Sequence, residues 1–166
     1  DPDTVHAMCK ISRRDSLKAS LLAGAAPVFY SSRAWSAQFE PIRIGLIGVG
    51  NRGNANIAEV AHENVVALCD VDERYLNSAA TQHQGAATFR DYQEMLDADL
   101  DLDAVVVSTP DHTHAPASLA AMQRGLHCYC EKPLTHTIAE SRALRELSRS
   151  SKVVTQTGNQ GSASSN

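Results

Sequence analysis

The stretch Ile42-Arg43-Ile44-Gly45-Leu46-Ile47-Gly48-Val49-Gly50-Asn51-Arg52-Gly53 decides the fold of this chain. Its first half is an apolar, β-branched run of the kind that makes a buried parallel strand. It then breaks into Gly48-x-Gly50-x-x-Gly53, after which Asn54 to His62 reads as a helix. Strand, glycine turn and helix together form the phosphate-binding turn of a dinucleotide fold. Gly48 allows the tight turn, Gly50 lets the backbone approach a pyrophosphate, and Gly53 lets the helix pack on the strand. The helix N-terminus supplies free N–H groups and the positive end of its dipole to the phosphates. Three glycines at this spacing also occur in ordinary turns, so the flanking strand and helix carry the reading.

A second strand, Val65 to Cys69, ends in Asp70, 22 residues after Gly48. That is close to the spacing of about 20 at which an acid holds a ribose hydroxyl. A carboxylate there accepts from the 2′- and 3′-hydroxyls of NAD and repels the 2′-phosphate of NADP, so NAD is the favoured cofactor. Val71-Asp72-Glu73 reads as the first turn of the next helix, for which either Asp70 or Asp72 serves as cap. Arg74, one turn along, is placed to contact the adenine or to offset an added phosphate, which leaves dual specificity open.

Length and composition fit one globular domain: 166 residues, 43% apolar, with few aromatics. The net charge is −4 and no Lys/Arg cluster lies outside the first residues, which excludes a nucleic-acid footprint and an anionic-membrane patch. Residues 1–37 stand apart from the fold. Ser12-Arg13-Arg14-Asp15-Ser16-Leu17-Lys18 precedes a mild apolar stretch, Ala19 to Tyr30, and small residues around Ala34-Trp35-Ser36-Ala37. This basic, apolar and small-residue architecture resembles a twin-arginine export signal, with Ser16 where Phe is commonest, and implies the periplasm or the cell exterior. The apolar stretch is too short and too rich in Ala, Gly and Ser for a stable membrane anchor. The remainder, 38–166, has 10 basic residues against 16 acidic and is expected to be the nucleotide-binding domain, cut short at Gly161 to Asn166.

From Gln38 the chain alternates strand and helix patterns, the signature of a doubly wound parallel sheet with order 3-2-1-4-5-6, an α/β Rossmann fold. Helices are expected at Glu73 to His83, Tyr92 to Leu96, Ala115 to Arg124 and Ile138 to Ser150. The further strands are Ala87 to Phe89, Ala104 to Val107, His127 to Cys130 and Val153 to Thr157. The acidic loop Asp97 to Asp103 lacks the glycine and distal glutamate of a calcium loop. Cys69 is expected about 14 Å from Cys128 and Cys130, at about 4.8 Å per strand, beyond disulfide reach.

Ligands of open parallel sheets bind at the carboxyl ends of the strands, where the strand order reverses. Two loops fall there. Ser108-Thr109-Pro110-Asp111-His112-Thr113-His114 follows the fourth strand, with His114 bordering the nicotinamide pocket and His112 partly exposed. Glu131-Lys132-Pro133 follows the fifth. Lys132 is the candidate catalytic residue, because an ammonium there can hydrogen-bond a substrate hydroxyl and stabilise the alkoxide that precedes hydride transfer. The plainer alternative is a surface lysine paired with Glu131. His112 and His114, two apart and without a third ligand at suitable spacing, do not make a metal site.

These residues, in this order and spacing over about Pro41 to Gly161, resemble the N-terminal half of the Gfo/Idh/MocA family of glucose-fructose oxidoreductase and inositol dehydrogenase. The Thr-Pro loop and Glu131-Lys132-Pro133-Leu134 are its most specific elements. The resemblance implies that Lys132 contacts substrate and nicotinamide and that Thr109, Pro110 and His114 line the cofactor. The candidate cofactor-binding set is Gly48, Gly50, Asn51, Arg52, Gly53, Asp70, Thr109, Pro110, His114, Glu131 and Lys132. The family implies an NAD(P)-dependent enzyme acting on a sugar or cyclitol. Its second domain, absent from these 166 residues, completes the substrate site and usually the interface of a homo-oligomer. An exported NAD-dependent glycosidase of the same type, and an inactive nucleotide-binding fragment, are the alternative functions.

Overall fold

Alternation of apolar residues with glycine turns produces six short strands and five helices in residues 40–159, the part described by the computed structural model. The export-signal pattern, Cys9 and the final Gly161 to Asn166 segment lie outside the described residues. The elements are β1 (Arg43–Ile47), α1 (Arg52–Glu59), β2 (Asn64–Cys69), α2 (Glu73–Gln82), β3 (Ala87–Phe89), α3 (Tyr92–Asp97), β4 (Ala104–Val107), α4 (Asp111–Gln123), β5 (His127–Cys130), α5 (Ile138–Ser150) and β6 (Thr155–Thr157). The sheet order is β3-β2-β1-β4-β5-β6, with every pair parallel. This is the Rossmann-type doubly wound sheet expected from the sequence.

Side chains of successive strand residues point to opposite faces, so each central strand feeds two cores. Ile44, Leu46, Leu68 and Val106 pack with Ile57 of α1 and Leu76 and Ala79 of α2 on one face. Ile47, Ala67, Val105, Val107, Cys128 and Cys130 pack with Met95 of α3, Ala117 and Ala121 of α4 and Leu144 of α5 on the other. Helix starts follow local capping chemistry. The Asp72 side chain accepts from the Arg74 N–H at 2.9 Å and Asp91 accepts from Gln93 at 2.8 Å. Thr137 and Glu140 form a reciprocal capping box. Asp72, not Asp70, therefore caps α2.

One boundary differs enough to matter. The sequence places the start of the fourth helix at Ala115, yet α4 begins at Asp111 and takes in His112 and His114. Pro110, with φ −59°, stands at the cap position, Asp111 faces the helix dipole, and the Thr113 N–H donates to the Pro110 carbonyl at 2.9 Å. Among the described residues no helix is long and apolar enough to cross a membrane.

Cys69, Cys128 and Cys130 are buried and unbridged. Burial pushes the Cys69 and Cys130 thiols up to about 12. A thiol whose folded value is raised contributes stability that is complete below its unfolded value near 9 and is lost as pH rises towards 12. The expected outcome is that a disulfide reagent at pH 8 labels none of these three until denaturant is added. Rapid labelling of the native protein at Cys69, Cys128 or Cys130 overturns it.

Candidate functional site

The carboxyl ends of the strands form one level edge because their loops are tied rung by rung. The Gly48 N–H donates to Cys69 O at 2.8 Å, Ser108 to Ile47 O at 2.8 Å, Glu131 to Val107 O at 2.9 Å and Gly158 to Cys130 O at 2.8 Å. On this edge the glycine turn is built by exclusion of side chains. Gly48 has φ +86°, and a Cβ on it would sit 2.8 Å from the Ser108 carbonyl. One on Gly53 would lie 2.0 Å from Gly48 O. A Cβ on Gly50 would meet the Tyr75 ring at 2.6 Å, so this glycine makes room for an aromatic ring as well as for a ligand. Asn51 takes φ +45° between turn and helix, a conformation that Asn tolerates better than most residues.

Asp70 organises this turn. Its Oδ2 accepts from the N–H groups of Val49 (2.9 Å) and Gly50 (3.2 Å), and its Oδ1 from that of Asp72 at 2.9 Å. Around it opens a cleft of about 620 Å³ whose walls include Gly48, Gly50, Asn51, Arg52, Asp70, Tyr75, Arg90, Thr109 and Pro110. The Thr109 Oγ1 in this wall is buried and has no hydrogen-bond partner among the described residues. A turn whose glycines leave its backbone open, a fixed carboxylate and an orphaned hydroxyl in one cleft fit the pyrophosphate and ribose of a dinucleotide. A second cleft, of about 630 Å³, reaches towards the amino ends of the strands past Ile42, Ala104 and His127. It has the volume without this donor set.

The other half of the edge is held by Glu131. This carboxylate is only 4% exposed. Its Oε1 accepts from Arg52 Nε at 3.0 Å and Asn56 Nδ2 at 2.9 Å, and the same Asn56 amide donates to Ser108 Oγ at 2.7 Å. The bond to Glu131 raises the Arg52 guanidinium above its usual value. His114, 1% exposed, sets Nδ1 2.6 Å from Pro133 O and Nε2 2.6 Å from Thr109 O. It pins the loop after β4 to the loop after β5. A neutral imidazole donates through one nitrogen only, so one of these carbonyls is satisfied in either tautomer and both only in the imidazolium.

Of the residues singled out from the sequence, Gly48, Gly50, Asn51, Arg52, Asp70, Thr109 and Pro110 share one cleft. Gly53 sits behind it under Gly48. Glu131 accepts from Arg52 and Asn56, and His114 lies within hydrogen-bond distance of two loop carbonyls. Both are buried, and burial of such groups requires internal partners. Lys132 is exposed and follows Glu131 in a loop whose Lys132–Pro133 peptide is cis. Sequence reasoning passed over Asn56, Tyr75 and Arg90. Only Asn56 had a signal, an amide beside Ile57 on the inward face of α1.

Residues 42–159 match the family model described as an oxidoreductase family with an NAD-binding Rossmann fold, GFO_IDH_MocA. A glycosyl hydrolase family 109 protein of Solibacter usitatus is 34% identical, over 80% of this chain and 35% of the relative. Inositol 2-dehydrogenase 4 of Saccharopolyspora erythraea is 37% identical, over 57% of this chain and 29% of the relative. The WlbA dehydrogenase of Bordetella pertussis, solved in complex with NADH and UDP-GlcNAcA, superposes with TM-score 0.68 at 25% identity, covering 74% of this chain and 39% of that one. The chain thus spans between 25% and 35% of the length of the curated relatives it matches.

Removing the carboxylate at Glu131 takes from the buried Asn56 amide one of its two acceptors and from Arg52 Nε the acceptor it uses. Glu131→Ala is expected to destabilise the fold by about 2–3 kcal/mol, read from urea unfolding. A loss under about 0.5 kcal/mol, the range of an ordinary surface substitution, refutes the junction role.

Proposed function

The chain belongs to the Gfo/Idh/MocA oxidoreductase family with its NAD-binding Rossmann fold, and from that premise we propose that it serves hydride transfer between NAD and a hydroxyl of a sugar or cyclitol, with residues 40–159 as the nucleotide-binding domain. The supporting observation is the convergence, at one sheet edge, of the glycine turn, Asp70, the orphaned Thr109 hydroxyl and the loop bearing Lys132. Bound NAD supplies the hydride acceptor. The turn and the first N–H groups of α1 hold the pyrophosphate. Arg52, anchored on Glu131, adds a fixed positive charge beside it. The Asp70 carboxylate accepts from the ribose hydroxyls, and Thr109 Oγ1 gains the partner it lacks. Lys132 would hydrogen-bond the substrate oxygen and stabilise the negative charge it develops, the hydroxyl proton passing to solvent water as the hydride leaves carbon for NAD.

A second reading has support of its own, since the Solibacter relative carries the name of a glycosyl hydrolase family. Such an enzyme would use the same first oxidation, then break the glycosidic bond and return the hydride to the product, so no net NADH forms. An exported location, which we infer from Ser12-Arg13-Arg14, favours a retained cofactor of this kind. The domain itself is common to both readings.

Calorimetric titration of the chain is expected to show saturable NAD binding, weakened about tenfold or more by Asp70→Ala, which removes an acceptor for charge-strengthened hydrogen bonds. A folded protein that binds no NAD refutes the assignment. In a preparation that turns over a sugar or cyclitol, Lys132→Ala should lower kcat by about 10²-fold, the usual scale of a lost acid–base group. A variant at full rate removes Lys132 from the chemistry. NADH accumulation marks the dehydrogenase, and aglycone release without NADH the glycosidase.

A further inference from the structure

At the end of β2 the cleft runs into a shallow hollow. Val71, Asp72 and Arg90 line both, and Glu73 and Arg74 complete the hollow. Two guanidiniums therefore flank the end of the cleft where Asp70 stands. An arginine beside a ribose 2′-position accommodates a 2′-phosphate, because a guanidinium fork matches phosphate oxygens and carries full charge. Here both arginines are already occupied. Arg74 sets Nε at 3.0 and 3.2 Å from the two Asp72 oxygens and Nη2 at 2.6 Å from Oδ2. Arg90 places Nη1 2.9 Å from Glu73 Oε1 and Nη2 3.3 Å from Val71 O. Three carboxylates, Asp70, Asp72 and Glu73, face two guanidiniums, which leaves this end negative.

We propose that Asp72 is a specificity-determining residue that holds Arg74 away from a 2′-phosphate and so makes the cleft select NAD over NADP. The inference rests on the reading of this cleft as a dinucleotide site. Of the two pairs, Asp72 with Arg74 carries the selection for a geometric reason. Asp72 is the α2 cap, so its carboxylate is fixed by the Arg74 N–H at 2.9 Å while the same oxygen takes the Arg74 Nε. Glu73, by contrast, is a side chain 65% exposed. The Arg74 side chain also holds the Asp72 carboxyl well below the usual range, to about 2. Selection by Asp72 adds to the repulsion from Asp70 and acts by withholding a cation rather than by presenting an anion.

Serine caps helices as well as aspartate does, so Asp72→Ser deletes the charge and keeps the cap, and Asp72→Asn, with its side-chain carbonyl, is the parallel variant. NAD and NADP are titrated calorimetrically into the full chain and each variant. The ratio of the NADP Kd to the NAD Kd is expected to fall at least tenfold in both variants. Adding Arg74→Ala to Asp72→Ser should restore it to within threefold of the original. An unchanged ratio in variants that still bind NAD overturns the inference alone, as does a fall that survives Arg74→Ala. Failure of the unaltered chain to bind NAD overturns the reading of the cleft and the inference with it.

Discussion

The Glu131 carboxylate, buried at the carboxyl edge of the sheet, accepts from Arg52 and Asn56 of α1 while its backbone N–H donates to Val107 of β4. A charge so placed is costly unless each of its neighbours is held in place. The arrangement therefore fixes three things together: the start of α1 against the sheet, the Ser108 hydroxyl through Asn56, and the loop that carries Lys132. The nucleotide half of the edge and the lysine half are thereby parts of one hydrogen-bonded unit. His114 adds a second tie, from the loop after β4 to the loop after β5.

Asp70 plays the corresponding part on the left of the switch point. With one oxygen it gathers two N–H groups of the glycine turn, and with the other it meets the entry to α2. An acid whose spacing predicts a ribose contact is thus also a brace for the glycine turn. Substituting it alters loop geometry and ligand contact at once.

What was legible in the sequence was whatever local periodicity or punctuation controls. The strands and the glycine turn are legible from local residues, Asp70 from its spacing of 22 after Gly48, and the strand order from the alternation of strand and helix along the chain. The start of α4 was missed because Pro110 and two histidines look like a loop until Pro110 is seen to stand at the cap. The partners of Glu131 are not legible because they lie 75 and 79 positions away, and those of His114 because only the folded sheet brings the loops after β4 and β5 together. The choice between Asp70 and Asp72 as cap stayed open because both lie at acceptable spacing, and only the Arg74 N–H contact decides it.

The bonds that define this edge join residues very distant in sequence: Asn56 to Glu131 spans 75 positions and Arg52 to Glu131 spans 79. Closing loops of that length costs entropy before any contact rewards it, and parallel pairing by crossovers makes such closures unavoidable. Strand pairs β1–β2 and β2–β3 can assemble over short loops. The Glu131 junction cannot form until β4 and β5 have docked beside β1. The lysine half of the edge therefore depends on long-range strand pairing, whereas Asp70 and the glycine turn are joined by β1 and β2 alone.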